Sequence, residues 1–361
     1  MKDKEKVHNG DIALWKFIYC LMIIIYHVSN SKILEVKYEF KYGAIGVEFF
    51  FLVSGYLMAK KALNFELKEK IEIGKETIKY LFNKIKRIYP YILLSYIISL
   101  PVLTIVKNFS KSDIVNSVWD LLIMQSNGIY KTHTVIVAWY ISAMLISMLI
   151  LFPLILKYKK NYIYIIAPII VFFGWGYIIK KYNNFPNPWI WNGFTTIGVI
   201  RATFELSLGS IIYCLSEKLK QINFTKFAKI LLTIIEIVGF CSILFIVNIN
   251  EANTKYDSVM LLIIATSITI AFSQQTVLLN HLNNKFVYFL ERLSLPLYIN
   301  QIWIIELLKY LLDKFTILSK SFYLFCIIVI VIDLVISILD ILCVKYSKKG
   351  FTYIKKKLIQ T

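Results

Sequence analysis

Long apolar runs recur along the whole chain and are separated by short polar stretches. The runs are rich in Ile, Leu and Phe and do not alternate with polar residues, which favours helices over barrel strands. An α-helix needs about 20 apolar residues to cross a bilayer, so each run can supply one crossing. The pattern predicts an all-α polytopic membrane bundle of about ten transmembrane helices, in one domain over residues 1–361 with no appended soluble domain. The predicted spans lie near residues 12–29, 43–59, 88–106, 137–156, 161–179, 194–215, 230–248, 257–272, 293–312 and 322–344.

Composition supports the membrane class. Hydrophobic residues make up 58% of the chain and charged residues 17%, against roughly 45–50% and 25% in soluble domains. These values exclude a soluble enzyme, a disordered tail and a disulfide scaffold. The five cysteines lie in or beside apolar runs without metal-ligand spacing, so we predict packing roles and no metal site. The net charge of +19 would suggest nucleic acid binding in a soluble protein, but not in this class.

Lys and Arg residues are distributed unevenly between the connections. If the N-terminus is cytoplasmic, the inner segments hold well over twice as many Lys and Arg residues as the outer segments. Because basic residues are retained on the cytoplasmic side, this predicts a multi-pass cell membrane protein with both termini in the cytoplasm. The lipid bilayer is therefore the first predicted partner, and the oligomeric state is left open.

Two ionisable residues share one face of the first predicted span. Lys16 and His27 are eleven residues apart, roughly 20° beyond three full turns and about 16 Å along the helix. Such a face could hold an extended donor, with phosphates at Lys16 and the reactive group at His27. The alternative is structural: Lys16 reaches the membrane surface and His27 bonds to a neighbouring helix.

Charged residues at the second and third spans extend this pattern. Glu48 lies in the outer half of the second span, where it could meet His27 and fix its tautomer. Lys84 and Arg87 form a basic cluster before Pro90, which we place in the first turn of the third span. The cluster is either a phosphate clamp or ordinary positive-inside charge.

Other ionisable residues lie in the later spans. Arg201 and Glu205 are four residues apart and are predicted to pair, either as a structural ion pair or as part of an acceptor cavity. Single acidic residues are predicted to be buried partners or cavity groups without an assigned role. They are Glu236, Glu306, Asp333 and Asp340.

Three segments together resemble the acyltransferase 3 family of integral membrane acyltransferases. The family's basic residue, ten residues and His in the first span are matched by Lys16 and His27. Its second-span pattern, Gly-Val, an acidic residue, Phe-Phe after one position and then Ser-Gly before a hydrophobic residue, is matched by Gly46–Tyr56 with Glu48 in the acidic place. Its Arg-X-X-Arg before a proline is matched by Lys84 and Arg87, with Lys in the first place.

The resemblance implies an acyl-CoA donor from the cytoplasm, acetyl-CoA by the family's habit, and O-acylation of a cell-envelope or exported carbohydrate. It implies that His27 is the catalytic base and that Glu48 orients it. It further implies that Lys16, Lys84 and Arg87 bind the phosphates of the donor. The acceptor, the acyl group, and direct transfer against an acyl-enzyme all stay open.

One position departs from the family's pattern. The late motif often ends in His, and Gln301 holds that place here, so the role of that His is absent or altered. A transporter or flippase for a lipid-linked saccharide or another anion is the main alternative, because it would share the apolar composition and the buried charges. A membrane sensor without catalysis is the third.

Overall fold

The computed structural model describes residues 9–31, 42–66, 72–128, 134–249, 256–315 and 321–360. In these residues the regular elements are helices, which confirms the all-α prediction. The α-helices are α1 Gly10–Asn30, α2 Gly46–Leu63, α3 Glu72–Lys107, α4 Lys111–Asn116, α5 Val118–Leu121, α6 Trp139–Tyr158, α7 Ala167–Tyr182, α8 Ile197–Lys220, α9 Lys226–Ile249, α10 Asp257–Ser273, α11 Leu279–Leu282, α12 Lys285–Phe315 and α13 Phe322–Gln360. Short 3₁₀ turns precede α2 and α6, and a π-helical turn, Tyr162–Ile166, precedes α7.

Eight helices of the described chain are long and apolar enough to cross a membrane. They correspond to seven whole α-helices, α1, α2, α3, α6, α7, α8 and α9, some with their adjoining turns, and to the first part of α13. The remaining two predicted spans are also helical. α10 is an apolar helix of 17 residues, and α12 is 31 residues long. The helical membrane bundle is thus established, whereas the count of ten and the orientation stay predictions.

The third helix corrects one detail of the sequence analysis. We placed Pro90 in its first turn, but α3 begins at Glu72 and continues through both Pro90 and Pro101. The charged run before the apolar segment has helical spacing, so the helix extends beyond the segment that matches a bilayer. A proline inside a helix removes one backbone hydrogen bond, and α3 contains two such prolines. The basic cluster therefore lies on a continuous helix and not before its start.

Side-chain contacts group the helix termini into two ends of the bundle. Lys16, near the start of α1, pairs with Glu291, near the start of α12, at 2.5 Å. At the opposite end, Lys309 of α12 donates to the carbonyl of Ser31, which follows α1, at 2.9 Å. We call these the Lys16 end and the His27 end. α1 and α12 therefore run in the same direction.

The end of α2 is held by a lysine from the turn after α6. Lys159 has a positive φ of 50° and donates to the carbonyl of Ala62 at 2.8 Å and to that of Phe65. Carbonyls at the end of a helix lack hydrogen-bond donors within the helix, so the ammonium group of Lys159 acts as their donor. Burial lowers the pKa of Lys159. The contact fixes α2 against the turn that joins α6 to α7.

α2 and α8 approach each other backbone to backbone. A Cβ on Gly55 would lie 2.3 Å from the carbonyl oxygen of Leu206, and one on Gly209 would lie 2.3 Å from that of Leu52. Small residues permit this spacing between membrane helices. The close pair brings the beginnings of α2 and α8 to the same end of the bundle.

Candidate active site

The predicted donor residues at the Lys16 end line two neighbouring cavities that share Lys84. A groove of about 440 Å³ is lined by Lys61, Lys79, Lys84 and Arg87, together with Glu76 and apolar side chains. We call it the basic groove. Among the groove lysines of the described chain, only Lys79 has a carboxylate at ion-pair distance, which is Glu76 at 3.0 Å. The groove therefore carries an excess of positive charge.

A second, narrower cavity leads from the same end into the bundle. It has a volume of about 220 Å³, and Lys84 lines both this cavity and the basic groove. We call it the apolar channel. Its mouth carries Lys16, Lys84 and Glu291, and its deeper wall includes Val47 and Tyr298. Lys84 therefore borders both a basic groove and a largely apolar cavity.

The wall of the apolar channel carries few polar groups. Ser54 and Tyr140 are hydrogen-bonded to each other at 3.1 Å, with their oxygens at the channel wall. The ring of Tyr140 lies 5.9 Å from that of Tyr298, which also faces the channel. Tyr298 donates its hydroxyl to the carbonyl of Val137 at 2.8 Å. Aromatic rings with satisfied hydroxyls thus give the passage a fixed shape.

Lys16 is not a free cation in this structure. Its ammonium contacts the carboxylate of Glu291 at 2.5 Å, with 20% and 26% of the two side chains exposed. Lys84 is close enough to both Lys16 and Arg87 for like-charge repulsion. Glu291 therefore offsets part of the positive charge at the channel mouth. Glu291 was not predicted as a site residue, because a single acid beside Arg292 at a helix start gives no signal of its own.

His27 lies deeper along the helix face that Lys16 occupies. Lys16 meets Glu291, and the Cys20 thiol donates to the carbonyl of Ser294 at 3.2 Å, so this face of α1 packs on α12 in parallel register. Extending the register by two turns brings His27 level with Gln301. The prediction that Lys16 and His27 share one face is consistent with these contacts.

The imidazole of His27 is half-buried and sits against the ring of Tyr26, with the ring centroids 4.9 Å apart. Among the described residues, no side chain or carbonyl forms a hydrogen bond with it. The described lining of the apolar channel does not include His27. By register, the channel ends near Tyr298, about one helical turn or 5 Å short of His27 along the bundle.

Gln301, in place of the family's late His, is fully buried. Its side-chain nitrogen donates to the carbonyl of Tyr298 at 2.8 Å. Its side-chain oxygen is buried without a hydrogen-bond partner in the described chain. The position thus offers an acceptor at the level of His27, whereas a histidine could also have offered an ionisable group.

Glu48 contacts Arg201 and not His27, which corrects the contact that we predicted. Glu48 is fully buried, and one of its carboxylate oxygens accepts a hydrogen bond from Nη2 of Arg201. The Nε atom of Arg201 lies 3.8 Å from Glu205, so the predicted pairing of these two residues is confirmed. We call Glu48, Arg201 and Glu205 the Arg201 cluster. The close approach of α2 and α8 brings Glu48 within reach of Arg201.

The surroundings of Arg201 explain how its charge is accommodated. The guanidinium donates to the carbonyl of Pro186 at 3.3 Å and lies over the rings of Trp139 and Phe185, at 5.6 and 5.3 Å. It also interacts electrostatically with Tyr26, the neighbour of His27. The cluster is therefore at the His27 end of the bundle.

The Arg201 cluster contains buried polar atoms that are not hydrogen-bonded. The second oxygen of Glu48, both oxygens of Glu205 and Nε of Arg201 have no hydrogen-bond partner in the described chain. Two carboxylates share one guanidinium, so the cluster can accept hydrogen bonds from hydroxyl groups. Glu48 and Arg201 lie on different helices, so their contact could not be predicted from spacing along one helix.

Comparison with known proteins gives the class of the chain. A family model described as an acyltransferase domain matches residues 9–339, nearly the whole chain. A search of curated proteins and a search of solved structures each gave no match. The matched region contains the basic groove, the apolar channel, His27 and the Arg201 cluster. The chain therefore belongs to this acyltransferase family.

Proposed function

We propose that this membrane acyltransferase transfers an acetyl group from acetyl-CoA to a hydroxyl of a cell-envelope or exported carbohydrate. Family membership gives acyl transfer in general. The observation that carries the finer proposal is the shared position of Lys84, which connects a basic groove to an apolar channel that runs toward His27. An acyl-CoA has this sequence of parts, with phosphates, a long arm and a reactive thioester.

The donor would bind with its phosphates in the basic groove. Lys84 and Arg87 lie on one helix and can both reach a phosphate group, and Lys61 lines the opposite side of the groove. The arm would then enter the apolar channel past Lys16 and Glu291. A phosphate at the channel mouth would compete with Glu291 for Lys16, which gives Lys16 a role that depends on the bound donor.

His27 would act as the general base. Its ring has no hydrogen-bond partner in the described chain and can accept the proton of an acceptor hydroxyl. The hydroxyl oxygen attacks the thioester carbonyl, the new ester bond forms, and the carbon–sulfur bond breaks. The proton on His27 passes to the leaving thiolate, so the products are an acetyl ester and CoA thiol. Gln301 lies level with His27 and could hold the acceptor hydroxyl.

The acceptor would approach from the His27 end. The Arg201 cluster lies there, and its free carboxylate oxygens suit a ligand rich in hydroxyl groups. Glu48 would act through Arg201 and not by direct contact with His27, so its catalytic role stays a prediction. The Lys16 end would face the cytoplasm, so the donor and the acceptor would reach the site from opposite sides of the cell membrane.

Thiol release from acetyl-CoA by the full chain in nanodiscs tests the proposal. Wild type and His27→Ala are compared with and without crude cell-envelope glycan, and His281→Ala is the matched control because His281 is exposed on α11. We expect glycan-stimulated release by wild type and the control, and none by His27→Ala. Full release by folded His27→Ala would overturn the mechanism. Movement of a saccharide into sealed liposomes that contain the protein, without thiol release, would favour a transporter.

A further inference from the structure

Two carboxylates are buried together away from the groove and the channel. Asp11 lies in the first turn of α1 and Glu236 in α9, and both are 0% exposed. Thr276 donates its hydroxyl to one oxygen of Asp11 at 2.9 Å. The other oxygen of Asp11 and both oxygens of Glu236 have no hydrogen-bond partner in the described chain. Three buried carboxylate oxygens are therefore unsatisfied at one place.

The packing of α1 on α9 brings these carboxylates together. The rings of Trp15 and Phe240 lie 4.5 Å apart, and Asp11 and Glu236 each precede one of these residues by four positions. A second path of contacts agrees, since Thr233 of α9 accepts a hydrogen bond from Val277, the neighbour of Thr276, at 3.0 Å. Asp11 and Glu236 are close enough for like-charge repulsion.

Among the described residues, the groups around the pair provide no compensating cation. Thr276 is hydrogen-bonded to Asp11, and the indole of Trp15 faces Glu236 outside hydrogen-bond geometry. One turn beyond Glu236, the Tyr19 hydroxyl donates to the Phe240 carbonyl, and Tyr19 interacts electrostatically with Cys241.

The bases on the packed elements are engaged or distant. Lys16 pairs with Glu291, Lys229 lies two turns before Glu236 along α9, and His281 on α11 is exposed. In the part of the chain that is described, no ion pair joins any of these bases to the two carboxylates.

Two adjacent buried carboxylates that no base of the described chain compensates are unfavourable when both are ionised. An uncompensated buried charge costs several kcal/mol, and a like charge beside it adds to that cost. A shared proton removes one charge and supplies a donor between the two groups. A bound Na⁺ would also do so, with Thr276 as a third oxygen ligand.

We propose that Asp11 and Glu236 form a binding site for one monovalent cation, a proton or Na⁺. The site joins the start of α1 to α9 and to the segment after α10. Because α1 also carries Lys16 and His27, the cation would help to hold the helix that contributes both residues. This inference is independent of the proposed acyl transfer.

Labelling with dicyclohexylcarbodiimide tests the site, because this reagent modifies protonated carboxyl groups in apolar surroundings. The wild-type full chain in nanodiscs is labelled in choline chloride, KCl or NaCl from about pH 6 to about pH 9. Peptide mass spectrometry measures the adduct on Asp11 and Glu236, with the partly exposed Glu217 as the internal reference.

In choline chloride we expect an adduct on at least one carboxylate of the pair, well above that on Glu217. For a proton site, labelling falls about tenfold per pH unit above the midpoint of the titration and does not depend on Na⁺. For a Na⁺ site, NaCl suppresses labelling at fixed pH and choline does not. Labelling no higher than that of Glu217, or labelling that responds neither to pH nor to Na⁺, overturns the proposal.

A variant tests whether the two groups form one site. In Asp11→Asn the neighbouring negative charge is absent, so we expect about tenfold less adduct on Glu236 at a pH near the wild-type midpoint. Glu217→Gln is the matched control, in which we expect as much adduct on Glu236 as in wild type. Equal labelling in both variants would show that the carboxylates are not coupled. If Asp11→Asn does not fold, the wild-type salt and pH series still decides the proposal.

Discussion

The basic groove and the Arg201 cluster both collect charge, but they differ in what the charge can contact. In the groove, Lys84 is half-buried and Arg87 is exposed, and cations exceed anions. In the cluster, Arg201 is 5% exposed and is shared by two fully buried carboxylates. Charge in the groove is therefore available to a ligand, whereas most of the charge in the cluster already holds α2 and α8 together.

This difference separates two kinds of effect. Removing a groove cation should weaken donor binding and leave the fold intact, because water can solvate what remains. Removing a cluster charge leaves an uncompensated charge in the interior and should weaken the fold. His27 belongs to neither set of charges, and its loss should affect the chemical step alone.

The largest expected effect comes from His27→Ala. Loss of a general base typically lowers the rate by about 10²–10⁴-fold, so kcat for acetyl transfer should fall by this amount with little change in the KM for acetyl-CoA. Steady-state thiol release measures both constants, and the Tm in detergent should match that of wild type. A large fall in Tm would mean that His27 is structural, which would remove it from the site.

The next effect tests the cluster. Arg201→Met leaves Glu48 and Glu205 buried without their cation, and breaking such a pair costs about 3–5 kcal/mol. We expect the thermal transition of the purified protein to fall by many degrees. Adding Glu48→Gln to Arg201→Met removes one stranded charge and should restore part of the loss.

The cluster is instead part of a ligand site if Arg201→Met keeps its Tm and loses only activity. That result would break the distinction between the two regions. The same double variant would then show no stability rescue, so a single set of melting curves separates the interpretations.

A smaller effect, confined to the donor, is expected in the groove. Each charge-assisted hydrogen bond contributes about 1.5–3 kcal/mol, so Lys84→Ala or Arg87→Ala should raise the KM for acetyl-CoA about 10–100-fold. Lys86→Ala is the control on the same helix, because Lys86 is exposed and does not line the groove. A dephospho donor analogue should lose affinity for wild type more than for the variants if the cations contact the missing phosphate. A KM unchanged in both variants would assign these residues to plain positive-inside charge.

The sequence predicted the helices better than the contacts between them. The apolar runs identified each long helix, because burial in lipid demands about 20 apolar residues whatever the neighbours are. Spacing also placed Lys16 and His27 on one face and paired Arg201 with Glu205, since both relations lie within one helix. Glu48 was assigned to His27 because depth alone cannot tell which helix is adjacent.

Tertiary packing decided the remaining features. Glu291 meets Lys16 only because α1 and α12 run in parallel, and the two residues are 275 positions apart. The Asp11 and Glu236 pair likewise depends on how α1 packs on α9. Pro90 was misplaced because a proline usually marks a helix start, while the long amphipathic segment before it favoured continuation.

Lys159 is a cation beside the basic groove that stabilises the fold. It donates to the carbonyl of Phe65, whose side chain lines the groove, and to that of Ala62. Lys159→Met should therefore lower the free energy of unfolding by about 1 kcal/mol without changing the KM for acetyl-CoA. Lys160→Met, at the exposed neighbouring lysine, should change neither.

The pH dependence of stability provides a second test of Lys159. Burial lowers the pKa of Lys159 in the folded chain below its usual value of about 10.4, so the unfolded chain binds more protons between the two values. The contribution of this group to stability therefore rises with pH across that alkaline range. Melting curves taken there should show a steeper rise for wild type and Lys160→Met than for Lys159→Met. Parallel curves for all three would mean that the ammonium of Lys159 is as well solvated as that of Lys160, and a cation in this neighbourhood would then be free for a ligand.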